Sequence, residues 1–340
     1  MRKLIAVALA ASAAALALAG GAATAPAQGT SLTIYSGRDA AFVQPVMDRF
    51  ERQTGIELEV RYASSTALAT ALVEEGRGSP ADIYWSQEPG TLGLVAARGL
   101  LARLPQSVVG KVPSRFSTPS RRWVGTTARS RVLVYNTQRL TPGQLPRSVW
   151  DLTRSSWKGK IGIAPTNASF QAFLGATIRV FGETRVRNWL RGLQANDVKL
   201  YPNNTSVVQA VGRGDVEVGL VNHYYVYNLL ADDPNLPVRN HWFRNGDPGN
   251  LVLAAGIGIV SSTAKTAAAL RFVNFVHSKW AQRRMARGPG AAEYPVIKGV
   301  PRRPGLPALS AIKGPKYNLG RLSADLQPAV RLLLEVGLIK

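Results

Sequence analysis

Two adjacent tyrosines, Tyr224 and Tyr225, follow the apolar run Val218-Gly219-Leu220-Val221 and the polar turn Asn222-His223. The run reads as a buried strand, and a helix follows over Val226 to Ala231. The pair therefore sits at a strand's carboxyl edge, where ligands bind in open α/β sheets. A phenol oxygen is a hard anionic donor once it loses its proton, and tyrosinate is a ligand of iron. Two phenols at one edge can hold a hard cation. The competing reading is that one ring packs while the other closes the loop.

The elements that must position this pair are legible along the chain. Leu32 to Tyr35, Ile56 to Val60 and Asp82 to Trp85 are strand-like. They alternate with helical patterns over Phe42 to Phe50, Ala67 to Glu75 and Leu92 to Arg98, each closed by Gly or opened by Ser and Thr caps. Strands alternating with helices predict a parallel sheet covered on both faces. Arg122 to Gly125 and Ser130 to Tyr135 read as two strands crossing into a second unit. That unit has helices over Phe170 to Val180, Arg185 to Leu193 and Val207 to Gly212. Leu251 to Val260 is a long apolar return strand, Thr266 to Met285 one helix, and Ser323 to Leu338 a closing helix. The expected class is α/β with two lobes facing a ligand cleft, each a mixed sheet flanked by helices, closing about a hinge. Residues 28–130 with 254–305 form the expected first lobe, and 131–253 with 306–340 the second.

Composition sets limits. The 340 residues suffice for two domains with cores of their own. Arg2-Lys3, an apolar run from Leu4 to Ala19, and Ala25-Pro26-Ala27 spell an export signal over residues 1–27, with Gln28 the first mature residue. No later segment is apolar enough to span a membrane. The absence of cysteine excludes disulfides, thiolate metal sites and a cysteine nucleophile. The formal charge of +22, or +20 without Arg2 and Lys3, favours anionic partners or an acidic envelope. The cations are scattered, and no aromatic-interleaved nucleic-acid motif is present.

Several segments in this order and spacing carry a resemblance: Tyr35-Ser36-Gly37-Arg38, Ser79-Pro80-Ala81-Asp82, Arg129 to Tyr135, Pro165-Thr166, Asn222 to Tyr225, Asp247-Pro248-Gly249 and Ala292-Glu293-Tyr294-Pro295. With them the chain resembles the periplasmic ferric-ion-binding proteins, solute receptors of ABC-type iron importers, over nearly its whole length. The resemblance implies ferric ion held in the interlobe cleft by two adjacent tyrosinates, a first-lobe residue and an exogenous anion such as phosphate or carbonate. Tyr224 and Tyr225 match the tyrosine pair. The anion site maps onto Asn167, Ala168 and Ser169 at a helix start, with Asn204 and Asn222.

The first lobe departs from the family pattern. Asp39 stands where some relatives have a His ligand, and Gln87, followed by Glu88, where some have a Glu ligand. Phe170 replaces a third tyrosine seen in another branch. Asp39 is one candidate ligand, and the other possibility is no first-lobe protein ligand at all. Arg38, Gln87 and Glu88 are further cleft candidates. Arg38 is expected to be solvated or to brace Asp39, while His223 is expected beside the tyrosines rather than on the metal.

Other signals add little. The three histidines, His223, His241 and His277, form no zinc motif. Arg213-Gly214-Asp215 falls at a helix-to-strand turn where those types are ordinary, and Tyr201 and Tyr227 read as packing residues. No serine-nucleophile elbow or phosphate-binding P-loop is present. The expected function is an exported, non-enzymatic, monomeric receptor that hands ferric ion to the transmembrane subunits of an ABC permease. It binds a small anion but no nucleic acid, and meets the membrane only through that permease. The alternatives are a receptor of the same fold for an oxyanion or organic anion such as a phosphonate, and a secreted hydrolase.

Overall fold

A computed structural model describes residues 31–340. The expected export signal at 1–27 lies outside the described residues. Strand β1 (Ser31–Ser36) leads into helix α1 (Ala40–Thr54), then β2 (Glu57–Tyr62), α2 (Ser65–Glu75), β3 (Ile83–Ser86) and α3 (Pro89–Ala97). A short α4 (Gln106–Val109) precedes the long strand β4 (Val124–Asn136). The second unit continues with β5 (Ile161–Ile163), α5 (Ala168–Phe181), α6 (Glu183–Ala195), β6 (Lys199–Leu200), α7 (Asn204–Arg213), β7 (Val218–Asn222), α8 (Tyr224–Asp232) and β8 (Val238–His241). The chain returns through β9 (Val252–Ile259), α9 (Thr266–Val276), α10 (Lys279–Arg287) and β10 (Tyr294–Pro295), and ends in α11 (Leu322–Glu335).

The strand order is β2-β1-β3-β9-β4 on one side and β4-β7-β5-β6 on the other. β4 belongs to both halves. Its residues 124–130 pair antiparallel with β9, and 131–136 pair antiparallel with β7 and β8. The two strands expected over Arg122 to Gly125 and Ser130 to Tyr135 are thus one. Thr127 to Ser130 resume pairing with β9 after a register shift that leaves Thr126 without a ladder partner, so one strand continues through the bulge. The helix expected over Thr266 to Met285 is instead two. Ser278 caps a fresh start by accepting from the Ala281 N–H, and a residue that prefers capping ends one helix where it opens the next.

Each half is a sheet flanked by helices, giving the two-lobed α/β architecture expected from the sequence. Apolar side chains make the first core, with Phe50 edge-on to Phe272 and Trp85 edge-on to the same ring. The aromatic cluster Phe173, Trp189 and Trp150 organises the second. Helix α11 packs on both α5 and α3. Its approach to α5 is close enough that a Cβ on Gly175 would fall 2.4 Å from the Asp325 carbonyl oxygen, so only glycine fits there. Among the described residues no helix is long and apolar enough to cross a membrane.

Candidate metal centre

Strand β7 delivers the tyrosines. Its residues Val218 to Asn222 are buried, and the chain turns into α8 at His223 so that Tyr224 and Tyr225 occupy the first helical turn. The two rings lie 4.3 Å apart between centroids at 30°, which brings both phenols to one side. Across the cleft, β3 ends at Ser86 and the next residue, Gln87, reaches over. Its Nε2 donates to the Tyr224 oxygen at 2.6 Å and to the Tyr225 oxygen at 3.3 Å. Both phenol oxygens therefore converge on one point, faced by a first-lobe side chain.

The cavity around this point measures about 500 Å³. Arg38, Asp39, Tyr62 and Gln87 line it from the first half, and Asn203, Thr205, Tyr224 and Tyr225 from the second, with Glu293 also part of the lining. Among the described residues no group of three or more His, Cys, Asp or Glu is placed to hold a metal ion. A cation held here must rely on the phenols.

Below the phenols lies a buried charge cluster. Arg38 donates to Glu293 at 2.8 Å, both side chains almost wholly buried, and Thr127 donates to the same carboxylate. Burial opposes the Glu293 charge, but the Arg38 and Arg129 guanidinium groups hold its carboxyl below the usual range. Arg129 is fully buried, and none of its three guanidinium nitrogens has a hydrogen-bond partner. Arg131 donates to the Leu220 carbonyl at 2.8 Å and the Asn222 amide oxygen at 3.3 Å. Burial lowers its pKa to about 9, still charged at neutral pH. Tyr224 is pushed well above the ordinary phenol value by burial and by neighbouring Tyr225 and Glu293, while Arg129 and Arg38 pull the other way.

The structure corrects parts of the sequence reading. Arg38 is neither solvated nor on Asp39; it is buried on Glu293, whose carboxylate offsets the cost of taking this guanidinium out of water. Glu88 is outside the cleft lining. It is fully buried at the start of α3, its carboxylate accepting from the Gly90 and Thr91 N–H groups. Asp39 does line the cavity, but one carboxylate oxygen caps α1 through the Phe42 N–H at 3.1 Å. His223 is engaged at both ring nitrogens: Nδ1 faces the Ser130 N–H, and Nε2 faces the Ala292 carbonyl at 2.7 Å. Burial holds it near pKa 4, hence neutral.

The residues expected to hold an anion form a connected network. Asn167 Oδ1 accepts from the Ser169 N–H, the Ser169 hydroxyl and the Asn204 amide, while Asn222 donates to Ser169 Oγ at 3.0 Å. Ala168 opens α5 beside them. The cleft wall itself is built by neighbours that the sequence reading left out: Asn203 and Thr205 at the start of α7, Tyr62 at the end of β2, and Glu293. Glu293 belongs to the Ala292-Glu293-Tyr294-Pro295 segment, and Asn203 adjoins Asn204. Nothing in the local pattern marked Tyr62.

Two α/β lobes sharing β4, with a polar cleft walled by both, define a solute-binding protein. The chain belongs to the family of bacterial extracellular solute-binding proteins, whose model matches residues 78–315. It is 32% identical over 310 residues to the Fe(3+)-binding periplasmic protein of Serratia marcescens, covering 91% of this chain and 90% of that one. Iron-bound HitA from Pseudomonas aeruginosa superposes with a TM-score of 0.86 at 34% identity, covering 91% of this chain and 99% of its own. A Trichodesmium protein (IdiA, FutA) in complex with iron and citrate gives 0.78 at 27% identity, covering 90% and 99%.

Proposed function

We propose that this protein captures ferric ion between its lobes, with Tyr224 and Tyr225 as phenolate ligands, and delivers it to the membrane subunits of an ABC importer outside the cytoplasm. The observation that carries the reading is the convergence of two phenol oxygens on one point opposite Gln87. Iron-binding relatives over nine-tenths of the chain support the same cargo. An oxyanion receptor has no evident need for paired phenols, so the ferric reading is preferred to the phosphonate one. No nucleophile–base constellation supports hydrolysis, and the protein acts as a receptor rather than a catalyst, as a monomer.

Charge bookkeeping explains why an anion joins the metal. Arg38 and Glu293 offset each other. Arg129 and Arg131 add two positive charges, ferric ion three, two phenolates remove two and Asp39 on the cavity wall one, which leaves +2 (2 + 3 − 2 − 1) before Glu88 is counted. A positive surplus in a partly desolvated cleft favours an anionic counter-ion. Phosphate or carbonate serves, and the citrate in the Trichodesmium complex supports a polycarboxylate as a third choice. The Asn167, Ser169, Asn204 and Asn222 network, with the N–H groups at the starts of α5 and α7, would receive it. Gln87 or Asp39 would then complete the first-lobe side, with the lobes closing about the β4 and β9 crossings.

Equilibrium dialysis against ferric citrate tests this reading. One iron per chain is expected for wild type, and none for the Tyr224→Phe/Tyr225→Phe double variant. Full iron occupancy in the double variant would overturn it.

A further inference from the structure

The charge surplus is not spread evenly. From Lys279 to Arg321, 43 residues carry ten lysines and arginines and a single acid, Glu293. That acid is buried on Arg38 and offers nothing to the surface. Elsewhere arginines and lysines pair with carboxylates, as Arg187 does with Glu183 and Glu335. No ion pair found among the described residues involves a cation of this segment.

The segment also displays its charge in an ordered way. In α10, Lys279, Arg283 and Arg287 follow at four-residue spacing and are exposed, while Ala281, Met285 and Ala286 are buried against the core. That makes one helix face a row of cations. Arg49 of α1 lies over the Trp280 ring at 4.3 Å and adds a charge beside it. Beyond β10 the chain is a proline- and glycine-rich strap. Arg303 donates to the Ala291 carbonyl at 2.8 Å and Tyr294 to the Pro307 carbonyl at 3.0 Å, which pins the strap back against the end of α10. Arg287 and Arg303 line one shallow groove. Lys298 and Arg302 stand exposed between them in sequence.

Cations with no acid among them are kept apart from one another by solvent alone, and they gain most from a surface of continuous negative charge. A matched acidic protein face requires a fixed constellation; a charged sheet of headgroups requires only density. The long, evenly cationic strap fits density. We propose that the α10 row and the strap that follows form a docking surface for anionic phospholipid headgroups, which holds the receptor at the membrane where it delivers its cargo. This surface is independent of what the cleft binds. Each cation in contact with such a surface contributes on the order of fivefold to partitioning, and salt screens it.

Co-sedimentation with vesicles tests the proposal. The probes are phosphatidylcholine vesicles with and without about one third phosphatidylglycerol, at about 0.05 M and about 0.5 M salt. Wild type is expected to sediment with the anionic vesicles at low salt only. The Lys279→Glu/Arg283→Glu/Arg287→Glu variant is expected to lose at least about twentyfold of that binding, close to the loss of two cations at fivefold each. A control reverses three exposed first-lobe cations, Arg77→Glu/Arg98→Glu/Arg103→Glu, and is expected to lose far less. Circular dichroism and iron uptake confirm that both variants fold. Equal losses in the two variants would mean that net charge, not this surface, attracts the protein, and would overturn the proposal. Equal binding to neutral vesicles would do the same. Retention on immobilised polyglutamate without vesicle binding would overturn the lipid assignment in favour of an acidic protein.

Discussion

The side-chain nitrogen of Gln87 lies 2.6 Å from the Tyr224 oxygen and 3.3 Å from the Tyr225 oxygen, so one first-lobe donor spans both phenols. An N–H donor between two phenol oxygens occupies the region in which a shared cation would sit. The bridge also joins the lobes across the cleft.

Gln87→Glu keeps the reach and replaces a neutral amide by a hard anionic oxygen. Ferric affinity, measured by competition with nitrilotriacetate, is expected to rise about tenfold or more, equivalent to about 1.4 kcal/mol. Gln87→Leu removes the bridge and should weaken binding. Unchanged affinity in both variants would remove Gln87 from the site.

The Arg38–Glu293 pair predicts a stability effect. Glu293→Ala leaves a buried guanidinium without its carboxylate, at a cost of about 3–5 kcal/mol. For a protein of this size that lowers the melting temperature on the order of 10 °C. The double variant Arg38→Met/Glu293→Leu should recover most of the loss, because replacing both charges leaves neither exposed to an apolar interior. Calorimetry of the iron-free protein decides it.

Much of the fold was legible because its signals are local. The apolar run ending in Asn222-His223-Tyr224-Tyr225 needs only strand periodicity and a helix start to place two phenols at a sheet edge. Continuity of β4 was not legible, because Thr126 and Thr127 look like a polar break until β9 pairs with Thr127 and the strand runs on past the bulge at Thr126. The same limit hid the fate of Arg38 and Glu88. Whether a charge faces the cleft or the core depends on Glu293, 255 residues from Arg38, or on a cap that consumes the carboxylate. Tyr62 reached the cavity through the placement of β2 at the sheet edge, which no pattern around it announces.

Burial of His223 predicts an acid limb in stability. Its folded pKa is depressed to about 4 from 6.5, so below 6.5 the unfolded chain takes up a proton that the folded chain refuses. The stabilisation is complete above pH 6.5 and is lost as pH falls towards 4, on the order of 3 kcal/mol in all. His223→Gln should flatten this part of the curve in urea titrations of iron-free protein. An unchanged slope would contradict the neutral, buried ring.

Iron binding should carry the opposite side of the pH ledger. Each phenol releases one proton to become a ligand, so two protons leave per ferric ion and affinity falls about a hundredfold per pH unit on acidification. A single Tyr→Phe variant should halve the proton count in an unbuffered titration. A count of zero in wild type would mean that no phenol binds the metal.

The most direct test is a visible absorption titration of purified protein with chelated ferric iron, with and without phosphate or carbonate. Wild type should develop a saturable phenolate-to-iron band, and both Tyr224→Phe and Tyr225→Phe should weaken or shift it. A protein that stays colourless with every anion would contradict ferric capture by the tyrosine pair.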